Sequence, residues 1–308
     1  MLSFSRLSLL GISFNLPKLW SSATWDPNGI TFAGPSTLLD APWGLFVNRN
    51  DTVAVTIPDR RQVSIWFKGN STATTITTYI SIRTIGVFIT TNNDVYVDSG
   101  YSNGYVYKWS GVGTTPSVVM SVNGICYSLF VDINENLYCC LGDRHKVVKK
   151  LSSSNSSSPI QVAGGQNSGS SSTKLDNPRG IFVDLQLNLY VADANNDRIQ
   201  RFTPGSASGI TVAGNGALGT ITLNWPTGVI LDADGYLFIA DYGNHRIVAS
   251  DSSGFRCIIR CTGTYGSTSK QLHYPWALSF DSRGNLFVSE HGNIRIQKFI
   301  LTTNSRSK

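Results

Sequence analysis

Three pairs of opposite charge recur at one spacing: Asp193 and Arg198, Asp241 and Arg246, Glu290 and Arg295 each stand five residues apart. Groups so placed could act as acid/base or metal-binding residues. They could equally be struts, in which the guanidinium fork ties down a loop through charge-assisted hydrogen bonds. Recurrence in three places favours the strut, because a reaction needs its catalytic group only once. Four histidines, His145, His245, His273 and His291, are the other candidates for proton transfer or metal ligation. Asp98 and Asp143 are carboxylates outside the pairs and the remaining candidates for a base. Glu135 falls in a turn-like stretch. The chain has no Gly-x-Ser-x-Gly, phosphate-binding loop or His-Glu-x-x-His. Among the cysteines, neither Cys139-Cys140 nor Cys257-x3-Cys261 has the spacing of a zinc site.

The elements that must position these residues are strands. Of 308 residues only 14% are charged, against about 25% in an ordinary soluble domain. Glu occurs twice, at Glu135 and Glu290. Surface helices need Glu, Lys, Ala and Leu on their solvent face, so helical bundles and α-solenoids are excluded. The 41% hydrophobic content, with 14 Phe, 12 Tyr and 7 Trp, supplies a sizeable core. No apolar run approaches the ~18 residues of a membrane span. The net charge of +6 is scattered, with Lys146–Lys150 and Arg60-Arg61 as small clusters. A nucleic-acid or membrane surface would need a concentrated stripe, so the charge permits such a partner without arguing for one, and a nucleic acid is not expected.

An internal repeat organises the chain. Leu175-Asp-Asn-Pro-Arg-Gly-Ile-Phe-Val-Asp184 is followed by Leu189-Tyr-Val-Ala-Asp193 and Asp197-Arg-Ile199. The pattern returns from Leu223 and from Leu272, more weakly from Leu39, and in degenerate form around Ile85 and Leu129. Corresponding positions Gly44, Gly86, Ser128, Gly180, Gly228 and Ala277 lie 42, 42, 52, 48 and 49 residues apart. Six units of that period match six four-stranded blades. Each unit reads as an apolar first strand, a turn rich in Asp, Asn and Gly, a second strand, a third that alternates, and a fourth such as Ile210-Thr-Val-Ala-Gly214. That fourth element also occurs as Ile30-Thr-Phe-Ala-Gly34, whereas the last unit ends after its third strand. The N-terminal strand is therefore expected to complete the last blade and close the ring, removing an open sheet edge. The expected organisation is an all-β, six-bladed β-propeller over 25–302, with 1–24 outside it and a tail at 303–308.

Pro-x-Gly-Ile/Val, Leu-[Tyr/Phe]-[Val/Ile]-Ala-Asp and Asn-x-Arg-Ile resemble the NHL repeat of six-bladed propellers, most closely in the last three units. The resemblance brings two enzyme readings. One is a peptidyl-glycine lyase whose zinc histidines come partly from the position just after the pre-strand proline. Here the corresponding loop positions hold Trp43, Arg179, Thr227 and Trp276, so those ligands do not carry over. The other is a sugar lactonase with calcium held by Glu, Asn and Asp in the axial channel; neither Glu135 nor Glu290 is placed for that. Some family members are intracellular adaptors of ubiquitin ligases, but the Cys/His zinc domain of such ligases is missing. No cofactor or metal is expected, and the metal-dependent hydrolase or lyase stands second to a binding module.

The repeat puts the loops entering the first strand and those joining the second to the third on one face, around the channel mouth. Trp43, Tyr127, Arg179, Trp225 and Trp276 fall on the first set; Arg60, Arg61, Asn196, His245 and His291 on the second. Ring closure makes Trp43 and Trp276 neighbours. Rigid aromatics beside arginine suit a protein, peptide or glycan ligand, and they could equally seal blade against blade. Cys126 is expected to bond Cys139 or Cys140, and Cys257 to reach Cys261 only if the chain folds between them. Met1 to Ala23 resembles a degenerate signal peptide with Ser21-x-Ala23 as its cleavage point. Asn50, Asn70 and Asn155 are N-glycosylation acceptors. Together these give an extracellular, monomeric protein, with a cytoplasmic location as the alternative.

Overall fold

The computed structural model describes residues 12–77, 83–100, 104–111, 113–261 and 264–305. Six four-stranded antiparallel sheets follow one another around an axis. Their inner strands are Leu45–Val47, Val87–Ile89, Cys126–Val131, Pro178–Val183, Pro226–Leu231 and Pro275–Phe280, opening blades one to six. Helix is confined, among the described residues, to the short Pro35–Leu38 and to single 3-10 turns. None of the described helices is long and apolar enough to cross a membrane.

The blades form where the sequence alternates Val, Ile and Phe with turn chemistry. After each inner strand of blades three to six an aspartate closes a tight turn through its own carboxylate. Asp184 Oδ1, for example, accepts the N–H groups of Gln186 at 2.9 Å and Asn188 at 2.8 Å. Asp132, Asp232 and Asp281 repeat the arrangement, and Asn48 does so in blade one. One residue of each such turn is left-handed; in blade three it is Glu135, at φ 60°.

Ring closure follows the sequence expectation. Ile30–Ala33 pairs antiparallel with Arg295–Phe299 as the fourth strand of blade six. A second ribbon, Thr24–Trp25 against Leu301–Thr303, reinforces the seam.

One part of the expected organisation differs. The described portion of 1–24 does not hang free of the propeller. Ile12, Phe14, Leu19 and Ala23 are buried, with Phe14 only 3% exposed. The physical reason lies on the axis. The next-to-last residues of the first four inner strands, Phe46, Phe88, Phe130 and Phe182, form a chain of rings with centroids 4.2, 5.4 and 5.0 Å apart. That apolar end of the channel gains by covering itself, and Phe14 covers it.

Candidate binding face at the channel mouth

The three charge pairs are hydrogen-bonded in place. Arg198 Nε donates to Asp193 at 2.8 Å, Arg246 to Asp241 at 2.7 Å and Arg295 to Glu290 at 2.6 Å. The same guanidinium groups donate to loop carbonyls ahead of their own blade's inner strand: Arg198 to Ser170, Ser171 and Lys174, Arg246 to Thr222, and Arg295 to Ser267, Thr268 and Gln271. The acids accept one backbone N–H from the same loops, from Asp176, Asn224 and His273. Burial raises the pKa of Asp193, Asp241 and Glu290, opposed by these hydrogen bonds and by the arginines. Each strut fixes a mouth loop. Asn196 joins the first of them, donating to Gly169 and Asp193, so it serves the loop instead of facing the mouth.

Asp98 occupies the strut acid's place in blade two, but the residue across the ladder is Val106 where blades four to six have arginine. Its carboxylate accepts N–H groups from Ile85 at 2.6 Å, Gly86 at 2.9 Å and Gly100 at 2.8 Å. Burial pushes its pKa up to about 7 in spite of those bonds. Asp143 is exposed on the blade-three turn.

A second tie, not legible in the sequence motif, links consecutive blades. His145, Asp197 and His245 each close a 3-10 turn in left-handed conformation. Their side chains accept the N–H of Asn177, Trp225 and Tyr274, the residues that precede the next blade's proline. Acceptance at Nδ1 requires a neutral imidazole. For His245 that state is favoured, because burial lowers its pKa, helped by His273 and Arg260. Two of the four histidines thus act as latches.

One connected set of rings runs among these loops, with Trp276 and Tyr127 buried and Trp43, Trp225 and Tyr242 partly buried against them, so the inner rings also seal blade against blade. Trp43 and Trp276 meet at 4.5 Å, Trp276 and Trp225 at 5.9 Å, and Trp225 and Tyr242 at 4.9 Å. Tyr242 stacks on Tyr274 at 4.6 Å, Tyr274 on His273 at 4.5 Å, and His273 on Tyr265 at 4.6 Å. His291 stands edge-on to Trp43 at 5.3 Å, with its pKa lowered by burial against the opposing charges of Asp59 and Asp40. The Arg179 guanidinium carbon sits 3.8 Å from the Tyr127 ring centre and 5.0 Å from that of Trp225. Arg179 is therefore a lid over the axis, engaged by π faces. Arg60 and Arg61 stand exposed on the blade-one turn of this face.

Tyr242, Tyr274 and Tyr265 extend the candidate set beyond the residues read from sequence, and His273, read there as a candidate for proton transfer or metal ligation, joins the rings. Two of the three tyrosines had a signal. Tyr242 follows its strut acid as His291 follows Glu290, and Tyr274 precedes its proline as Trp225 does. Tyr265 lies in a loop of no regular pattern. Beneath Arg179 and above Phe14 the axial cavity is about 70 Å³. Sites for small organic ligands run to about 300–1,000 Å³, so the channel interior holds little more than water. Among the described residues no three His, Cys, Asp or Glu side chains gather as a metal-binding group, and the residues present do not fit a zinc or calcium centre.

Cys126 is bonded to Cys139 and Cys257 to Cys261, with Cα separations of 5.2 and 5.4 Å. The ladder selects Cys139 over Cys140. Cys126 lies opposite Leu141, and Cys139, two residues from Leu141, shares that face of the sheet while Cys140 points to the other. For the second bridge a register shift in the blade-five outer pair and a left-handed Arg260 fold the chain as required. Cys140 is free and buried. Asn50, Asn70 and Asn155 are all exposed.

A six-bladed propeller with blade struts and an aromatic mouth defines the class of protein. Residues 223–249 match the family model of the NHL repeat, so the six-bladed propeller carries an NHL repeat in blade five. No curated protein matches the sequence. Among solved structures, an auxiliary nutrient binding protein from Bacteroides ovatus shares the fold at TM-score 0.67 and 14% identity, over 95% of this chain and 76% of that one. Virginiamycin B lyase from Staphylococcus aureus does so at 0.64 and 10%, over 91% and 100%. A gluconolactonase from Xanthomonas campestris does so at 0.63 and 15%, over 94% and 95%. At such identities the likeness is one of fold.

Proposed function

We propose that the protein is a non-catalytic binding module that presents its mouth to a protein, peptide or glycan ligand. The connected rings from Tyr265 to His291, set over a closed channel, carry this reading. Aromatic side chains supply contact area at little entropic cost, and they dominate the affinity of interfaces. The struts and latches hold every loop of blades four to six that contributes to the face, so little ordering remains to be done on binding. Two disulfides fit an oxidising compartment, and the exposed acceptor asparagines fit secretion. The ligand is expected to meet a single copy of the chain.

A glycan array and a displayed peptide library, probed with the wild type and with Tyr265→Ala, test the proposal. Tyr265 is 61% exposed, so its loss leaves the fold intact. Hits that weaken at least tenfold in the variant support the mouth as the site; hits indifferent to it refute the reading. A second reading, a hydrolase or lyase, draws on His291, whose depressed pKa leaves a neutral imidazole beside Trp43. It predicts that a bound compound is recovered altered.

A further inference from the structure

We propose that the end of the axial channel opposite the mouth is a binding site for an aromatic side chain on an extended peptide, filled in the intact chain by Phe14. The inner strands place Phe46, Phe88, Phe130 and Phe182 at one level of the axis, but blades five and six contribute only Ile230 and Ser279 at the same register. The ring of side chains is thus short of volume, and the Phe14 ring supplies it, with centroids 5.0 Å from Phe130 and 5.4 Å from Phe182.

The backbone around Phe14 is recognised as a peptide ligand would be. Phe14 forms an antiparallel bridge with Asn48, and Arg49 donates its N–H to the Ser13 carbonyl at 2.9 Å. The Asn15 side-chain amide donates to the carbonyls of Phe280 at 2.8 Å and Asn48 at 3.0 Å, spanning the closure between blades six and one. Ala233 of blade five donates to the Pro17 carbonyl at 3.0 Å, and Lys18 pairs with Asp234 at 3.5 Å. Ring and polar contacts together reach every blade but the second, which Ser13 reaches through the N–H of Thr91 at 3.3 Å.

It follows that residues 12–23 belong to the working protein. Cleavage at Ser21-x-Ala23 would cut away the plug and leave an apolar hole on the axis, open to an aromatic ligand from elsewhere.

The test uses the full chain carrying Phe14→Ala, with toluene as a stand-in for the phenylalanine side chain. An apolar cavity of roughly 150 Å³ in a protein core stays dry and takes up a benzene-sized molecule. The variant is expected to melt several degrees below the wild type and to recover in a saturable way as toluene is added. The wild type, its site already filled, shows no such rise. Asn15→Ala is expected to melt lower as well, without a toluene response. Should Phe14→Ala fail to fold, Phe14→Val carries the same toluene titration. A Phe14→Ala chain that melts like the wild type, or a folded and destabilised one indifferent to toluene, overturns the proposal.

Discussion

Asp98, the blade-two carboxylate without an arginine, contributes stability that is expected to be lost as pH rises toward neutrality. Asp98 is 2% exposed and faces Val106 where three other blades supply arginine. Its pKa stands at about 7 in the folded chain against 3.8 for an ordinary aspartate. Between those values the folded state holds a proton that the unfolded state has released, so the slope of unfolding free energy with pH is negative. A gap from 3.8 to about 7, at about 1.4 kcal/mol per unit, amounts to about 4 kcal/mol. The full contribution is present below pH 3.8, is lost progressively as pH rises through 7, and is gone above it. Asp232, raised to about 6, adds a slope of the same sign, so the comparison must be made with a variant. Asp98→Asn keeps an oxygen for the Ile85 and Gly86 N–H groups but turns an amide toward Gly100, a cost that does not vary with pH. Urea unfolding of both chains from pH 4 to pH 8 isolates the effect. The stability difference, wild type minus variant, is expected to fall by about 4 kcal/mol between pH 4 and 7 and to level off beyond. Parallel curves across that range would refute the assignment of a buried, protonated Asp98.

Three further outcomes are expected. Arg198→Ala leaves the Asp193 carboxylate buried without its cation and is expected to cost about 3–5 kcal/mol in urea or thermal unfolding, whereas exchanging both partners for apolar residues of like volume costs far less. Removing the Cys126–Cys139 bridge, which closes 13 residues, is expected to cost about 3 kcal/mol, and removing Cys257–Cys261, which closes 4, about 2 kcal/mol; paired Cys→Ala chains followed by thermal unfolding check the order. Cys140 is buried, and burial raises its thiol pKa, so a thiol reagent at pH 8 is expected to label it only after unfolding, read by intact mass.

How much of this was written in the sequence depends on whether a feature repeats. Blade strands, turn aspartates and ring closure were legible because Leu-Tyr-Val-Ala-Asp and Ile-Thr-Phe-Ala-Gly recur at fixed intervals. The acid–arginine pairs were legible for the same reason. The latches were not, since His145, Asp197 and His245 do one job with two chemistries and leave no motif. Tyr265 was hidden in an irregular loop, and the choice of Cys139 needed the register of one ladder. Phe14 is the clearest case. It sits in an apolar stretch that reads as a leader, and only the unequal side chains of six inner strands, assembled on the axis, show what it fills.

The central claim is that the ring-lined mouth, and not the channel or the blade edges, meets the ligand. Hydrogen exchange with and without the best ligand from the array or library tests it most directly, with the ligand's mass read afterwards. Protection confined to the loops carrying Trp43, Trp225, Tyr242, Tyr265 and Tyr274, with the ligand recovered unchanged, is the predicted result. Protection along outer strands such as Ile160–Gly164 or Ile210–Gly214, or a ligand returned chemically altered, would contradict it.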